Sequence, residues 1–407
     1  MKKTTMILCC VLAALISYSQ GIQFEKDLSW RDVLAKAKSQ NKYIFIDAYA
    51  TWCGPCKAMA AETFPQPAVG DVINANFIAV KVQMDKTNAD DEFVKTWSAD
   101  AATIAKESNI TAYPTLLFYS PEGKLVHKTI GYKDASALIL EAKNALDPSK
   151  QFFTQTEQYN RGELDTAQIK ALASQAMQMG EKQLAIKVAQ GYIKTIAKKD
   201  IYKKDNLVFI GQFLAGSKDP NFMLFLKNAG KVDGVVGKNY AENLVMGIIA
   251  KEEIAPYEQQ KNPDWDMIEK TVIKKYGPLG AERVAGHRML YYLNLKDWDN
   301  FGKYYKKYFD LAVPHERSFL HINNMSWPVF EHVTDKEVLA TAVKTMKYDI
   351  EKFDGNDPAA IDTYANLLYK TGNKEEAIKW EEKALQLSNK KEFVDVLQKM
   401  KAGEKTW

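Results

Sequence analysis

A chain of 407 residues is too long for one ordinary core and is expected to hold two or three domains. Its 55 Lys and Arg nearly balance 51 Asp and Glu, and the lysines are scattered along the chain. The small basic excess therefore excludes an electrostatic case for nucleic acid or an anionic membrane surface as partner.

The chain starts with Met1, Lys2 and Lys3, runs through an apolar stretch over 6–16, and leaves it through small and polar residues up to Gly21. A basic start, a short apolar run and a small-residue exit predict a secretory signal peptide over 1–20, cleaved near Ser19 or Gln20. The apolar run is about half of the roughly 20 residues needed to span a bilayer, so it is read as a signal and not an anchor. Two of the four cysteines, Cys9 and Cys10, fall inside that run. Removal of the signal leaves Cys53 and Cys56 as the only pair, so no disulfide framework is possible and the pair is there for chemistry.

Helical spacing of Trp30, Val33, Leu34 and Ala37 predicts a helix over 29–39, with Ser29 or Asp27 as N-cap. The apolar run 43–49 predicts a strand covered on both faces, and the Cys53-Gly54-Pro55-Cys56 segment follows it directly. The pattern turns helical over 55–62, is interrupted at Pro65 and Pro67, and resumes as a short helix over 68–74. A strand over 77–84 comes next, then one helix or two short ones over 90–108. Strands over 115–120 and 125–130 form a hairpin about Pro121-Glu122-Gly123-Lys124, and a helix over 134–146 closes the unit.

This order describes an α/β sandwich of about one domain's length, ending near Asp147-Pro148-Ser149. The expected division is 21–148 for the sandwich and 149–407 for an all-α region, in which amphipathic helical spacing continues to the end. Residues 369–385, with Gly372, Ala377 and Ala384, resemble a tetratricopeptide repeat, and Gly180 and Ala185 repeat its five-residue step. Helical repeats are predicted, but not a regular array. The aromatic clusters at Trp298 and Phe301, Tyr304 and Tyr305, and Trp327 are assigned to helix packing.

A thiolate attacks in disulfide exchange, and the unpaired N–H groups at a helix start stabilise it. Cys53 lies at such a strand-to-helix junction. Cys56 is one turn on, close enough to close a ring with Cys53 and release a bound partner. Pro55 suits the first helical turn, where no N–H is needed. Half a zinc site is the competing use of this spacing, but a second pair is missing and His127, His287, His315, His321 and His332 lack ligand spacing. No metal and no cofactor are predicted.

Asp47 to Lys57, containing Trp52 and the cysteine pair, together with Tyr113-Pro114-Thr115, resembles the thioredoxin family over about residues 24–146. Trp30 on a leading helix and the Glu62-Thr63-Phe64 segment are similar to exported members, and the tandem with a helical half resembles a group found in Bacteroidetes. The resemblance implies a thioredoxin-like sandwich, a central mixed sheet flanked by helices, followed by a helical-repeat region. It implies Cys53 and Cys56 as the redox disulfide, Asp47 as the buried carboxylate that takes the Cys56 proton, and Lys81 as its neighbour. It places Trp52, Gly54, Pro55, Tyr113, Pro114 and Gly131 at the substrate-facing surface, with Pro114 in cis and the Tyr113 backbone pairing with an extended client segment. An inserted stretch over 87–108, with Phe93 and Trp97, and the bulky Tyr113 depart from the minimal family pattern.

Gly-Pro between the cysteines resembles reducing members more than oxidising ones, which carry a positively charged histidine there. The expected function is a periplasmic thiol–disulfide oxidoreductase that reduces protein disulfides. Its expected partners are those substrates and a thiol electron donor, which a membrane protein could provide, with the helical region binding protein. Oxidase or isomerase activity is one alternative. A redox-switched interaction protein, whose helical repeats bind a partner, is another.

Overall fold

The computed structural model of the chain describes residues 20–260, 262–316, 321–353 and 355–407. The expected signal peptide, with Cys9 and Cys10, lies outside the described residues apart from Gln20. Two compact units are present, one ending at Lys198 and one running from Lys199 to Trp407.

In the first unit five strands form one sheet. They are β1 (Phe24–Glu25), β2 (Tyr43–Tyr49), β3 (Phe77–Gln83), β4 (Thr115–Tyr119) and β5 (Leu125–Ile130), in the order β1-β3-β2-β4-β5. β1 and β2 run parallel to β3, whereas β4 is antiparallel to both β2 and β5, so the sheet is mixed. β2 is the central strand and is buried over 44–48. A strand between two covered faces needs apolar residues on both, which is why its sequence is a continuous β-rich run.

Alternation along β2 sorts its side chains onto the two faces of the sheet. Ile44, Ile46 and Ala48 join Val80, Val82 and Leu117 under α1 (Trp30–Gln40), and Trp97, Ala101 and Ile104 reach the same cluster from a later helix, Glu92–Glu107. Phe45 joins Phe77, Ala79 and Phe118 on the opposite face, packed by Met59, Val69, Ile73 and Leu138. The covering helices there are α2 (Gly54–Ala58), continued by a π-helical turn Met59–Thr63, then α3 (Pro67–Asn76) and, after α4 (Glu92–Glu107), α5 (Ala135–Leu146).

The segment predicted as helical over 90–108 holds the single helix α4, Glu92–Glu107, because Asp91 caps it by accepting from the Val94 N–H at 2.8 Å and nothing breaks it before Ser108. Trp97 is 3% exposed, its indole N–H donates to the Leu28 carbonyl, and its ring meets Trp30 and Phe93. The aromatics of the inserted stretch therefore serve packing. β1 was not predicted, since two residues carry no readable period. It is held by pairing of Phe24 with Ala79 and by Asn74, which accepts from the Gln23 N–H and donates to the Gly21 carbonyl.

The first unit continues past 148 through α6 (Phe152–Arg161), α7 (Thr166–Gln178) and α8 (Lys182–Ile193). The fully buried His127 accepts from the Phe152 N–H through Nδ1, and its Nε2 meets Glu141 at 2.8 Å. Equally buried, Lys128 on β5 donates to the Ser108 carbonyl and to Glu181 at the start of α8. Removing a donor from buried or partly buried acceptors leaves them unsatisfied. Lys128→Met leaves the Ser108 carbonyl and the partly exposed Glu181 without their donor, and it is expected to lower unfolding stability by about 1–3 kcal/mol, measured by denaturant titration.

Helices make up the regular structure described in the second unit. Its core gathers Phe301, Tyr304, Tyr305, Tyr308 and Phe309 with Val329, Phe330, Ala342, Met346, Ala365 and Leu368. The Tyr305 hydroxyl meets Ser326 Oγ at 2.7 Å, so the aromatic-rich segments fill helix contacts. Pro358–Lys370 and Lys374–Leu387 are antiparallel neighbours joined at Gly372, with small Ala365, Ala377 and Ala384 buried where they meet.

Candidate active site

The cysteine pair sits where β2 ends and α2 begins. Cys53 is the N-cap of α2, and its Sγ accepts from the Cys56 N–H at 3.1 Å. Cys53 and Cys56 are joined as a disulfide with Cα atoms 5.3 Å apart. Both are largely buried, with Ala50, Tyr49 and Tyr113 around them. Pro55 occupies the first turn and gives up no hydrogen bond there.

Around the disulfide, Trp52 is 70% exposed and its ring meets Tyr113 edge-on with centroids 5.9 Å apart. The Tyr113–Pro114 peptide bond is cis. Gly131 adopts φ +84°, which favours glycine, and its N–H donates to the Pro114 carbonyl at 2.8 Å. That bond ties the end of β5 to the start of β4. Gly54 has nothing close to the position of a Cβ, so the backbone beside Cys53 is open.

Asp47 lies within β2, opposite Lys81 on β3 and Leu116 on β4. It is 1% exposed, its Oδ1 has no hydrogen-bond partner, and Lys81 Nζ stands 3.8 Å from Oδ2. Burial raises the carboxyl from 3.8 to about 6, against the opposing pull of Lys81. Such a group exchanges its proton close to neutral pH. The Lys81 ammonium is itself surrounded by aromatic rings, 5.1 Å from the Tyr49 centroid, 5.6 Å from Phe24 and 5.7 Å from Phe64.

Sequence reasoning missed the support beneath the loop that carries Trp52. Asp85, at the end of β3, accepts from the Thr51 N–H at 2.9 Å and from the Thr51 hydroxyl. Nearby, Gln83 accepts from the Tyr49 hydroxyl and donates to Asp90. An acidic residue just after a strand is too common a pattern to single out. Phe24, which flanks Lys81 together with Phe64 of the Glu62-Thr63-Phe64 segment, was missed because its strand is only two residues long.

A mixed sheet with a cysteine pair at the first helix after its central strand, a buried carboxylate and a cis proline defines a thioredoxin-like thiol–disulfide centre. Residues 30–145 match the family model of the thioredoxin-like domain. A thioredoxin H-type of Chlamydomonas reinhardtii is 32% identical over 126 residues, which are 30% of this chain and 94% of that one. The chain belongs to the thioredoxin family through this region.

The thiol:disulfide interchange protein DsbD of Pseudoalteromonas atlantica is 32% identical over 115 residues, 28% of this chain and 18% of that one. The chain thus spans less than a fifth of that relative's length. A solved structure of a candidate disulphide-isomerase from Bacteroides thetaiotaomicron is 31% identical, with 32% of this chain and 96% of that one covered and a TM-score of 0.27.

Proposed function

We propose that the chain is an exported, periplasmic thiol–disulfide oxidoreductase that reduces protein disulfides through Cys53 and Cys56. The observation that carries this is the cysteine pair at the start of α2, in the same unit as buried, proton-exchanging Asp47. In the reduced form Cys53 attacks a client disulfide as thiolate. One client sulfur leaves as thiolate and a mixed disulfide forms. Asp47 takes the Cys56 proton, the Cys56 thiolate attacks Cys53 Sγ, and the second client sulfur leaves. The client gains two electrons and the protein disulfide is restored. Lys81 balances the Asp47 charge. Trp52, Gly54, Pro55, Tyr113, Pro114 and Gly131 form the surface on which an extended client segment lies.

Residues 21–148 are assigned to the redox domain and 149–407 to a tetratricopeptide-like region that binds a protein partner. Gly-Pro between the cysteines supports the reducing direction, because no side-chain positive charge there holds the thiolate. The basic and apolar N-terminus supports export, and a reductase in an oxidising compartment needs a thiol donor, here assigned to a membrane protein.

Equilibration of the mature protein with glutathione tests the direction. A reduction potential near −270 mV is expected, in the range of thioredoxin, and one near −120 mV would make the protein an oxidant and overturn the assignment.

A further inference from the structure

The segment that leads into Tyr113 and Pro114 leaves the end of α4 with Asn109 at φ +48°, a left-handed residue that ends the helical path. Asn109, Thr111 and Ala112 are exposed. The Ile110 N–H donates to the Ala105 carbonyl at 3.0 Å, and the Thr115 hydroxyl donates to the Ala112 carbonyl at 2.7 Å. Both bonds are local, and pairing with the sheet begins at Thr115.

The turn between α7 and α8, which holds Gly180 and Glu181, supplies the segment's contacts from farther along the chain. A Cβ on Gly180 would lie 3.1 Å from Thr111 Oγ1 and 3.1 Å from Ile130 Cδ1, so the turn rests on both residues at once. Thr111 stands two residues before Tyr113. Ile130 pairs with Thr115 and precedes Gly131, whose N–H holds the Pro114 carbonyl. Glu181 adds directed bonds. Its Oε2 accepts from Asn109 Nδ2 at 3.2 Å, and its Oε1 accepts from the buried ammonium of Lys128, which also donates to the Ser108 carbonyl at 3.0 Å. Hydrogen bonds to an ionised carboxylate are stronger than neutral ones, so Glu181 ties the start of the segment firmly to β5. The turn thus meets the residues on either side of Tyr113 and Pro114.

We propose that the α7–α8 turn is a specificity element of the redox centre, holding the Tyr113 backbone in the direction that an extended peptide client needs, with Gly180 and Glu181 as positioning residues. The inference rests on the reading of the Trp52, Tyr113 and Pro114 surface as the place where an extended client segment lies. Main-chain pairing with a client demands a fixed direction at Tyr113, because a hydrogen bond weakens steeply as it bends. Attack of Cys53 on a small disulfide makes no such demand. The turn therefore acts on affinity for protein disulfides and leaves the exchange chemistry unchanged.

The test compares the parent with Glu181→Ala and with Asn109→Gly in the full mature chain. The first removes both acceptor bonds of the turn. The second removes the bond between the segment and Glu181 at an exposed position, with a residue that accepts the positive φ. Pre-reduced protein is mixed with increasing excess of insulin and, separately, of bis(2-hydroxyethyl) disulfide, and the single-turnover rates are followed. The half-saturating insulin concentration is expected to rise about threefold to tenfold in Glu181→Ala and about threefold in Asn109→Gly, the scale of one or two lost hydrogen bonds. The maximal rate with insulin, the rate with the small disulfide and the reduction potential should stay at the parent values, as befits a loss of binding alone.

Parent half-saturation in Asn109→Gly, whether or not Glu181→Ala folds, would overturn the proposal. So would a loss of equal size with the small disulfide, a shifted potential, or a loss confined to the maximal rate. A parent chain that reduces the small disulfide but no insulin would instead remove the client reading on which the role of the turn depends.

Discussion

Cys56→Ser is expected to accumulate covalent adducts with client proteins, whereas Cys53→Ser forms none and loses turnover altogether. The two sulfurs have unequal tasks because of where the helix places them. Cys53 is the N-cap and receives the Cys56 N–H, so its thiolate is the better stabilised of the two. It attacks first. Cys56 is a full turn inside α2, and its task is to attack Cys53 Sγ within the mixed disulfide. Serine at 56 removes that attack and leaves the adduct with no internal exit. Non-reducing gels of cell extracts, followed by mass spectrometry of the trapped bands, check the outcome. Adducts in the Cys53→Ser chain, or none in the Cys56→Ser chain, would reverse or remove the assigned roles.

Much of this site was legible because each part leaves a local mark on the sequence. The central strand is an unbroken apolar run, and the one acidic residue within it, Asp47, stands out against neighbours that are all buried. Cys53 and Cys56 identify themselves by spacing, and Pro55 by its tolerance at a helix start. The hairpin was marked by Pro121 and Gly123, and Gly123 takes the positive φ that the turn requires. What stayed hidden depends on long-range contact. Phe24 matters because β1 brings it over Lys81, a residue 57 positions away in sequence, and two residues of strand give no periodic signal. Asp85 matters through Thr51, and although Thr51 lies beside the cysteine motif, nothing in the sequence ties it to an acidic residue 34 positions on. Lys128 would be placed at the surface on composition alone, yet Glu181 from a later helix keeps it buried.

Asp47→Asn should make the protein more stable and less active at the same time, and the stability gain should depend on pH. Burial raises the folded-state carboxyl from 3.8 to about 6. Below pH 3.8 the carboxyl is protonated in both the folded and unfolded chains, and it contributes nothing to pH dependence. As pH rises from there the unfolded chain releases its proton first, so folding carries a growing penalty that is complete above about pH 6. A displacement of this size corresponds to roughly 3 kcal/mol at order-of-magnitude level. The amide has its own cost of burial, but that cost is the same at every pH. The informative quantity is therefore the stability difference between variant and parent, which should shift in favour of the variant by roughly 2.5 kcal/mol between pH 4, where a small part of the penalty is already present, and pH 8. Denaturant unfolding of the oxidised proteins at the two pH values measures it, and a difference that does not change with pH would mean that Asp47 titrates as an ordinary carboxylate. In the same variant no carboxylate is left to take the Cys56 proton, so the mixed disulfide should resolve on the order of a hundredfold more slowly at pH 7. The deficit should narrow at high pH, where Cys56 ionises unaided. A carboxyl retained at a destabilising position is accounted for by this opposition, since the burial that weakens the fold also brings its proton exchange near neutral pH.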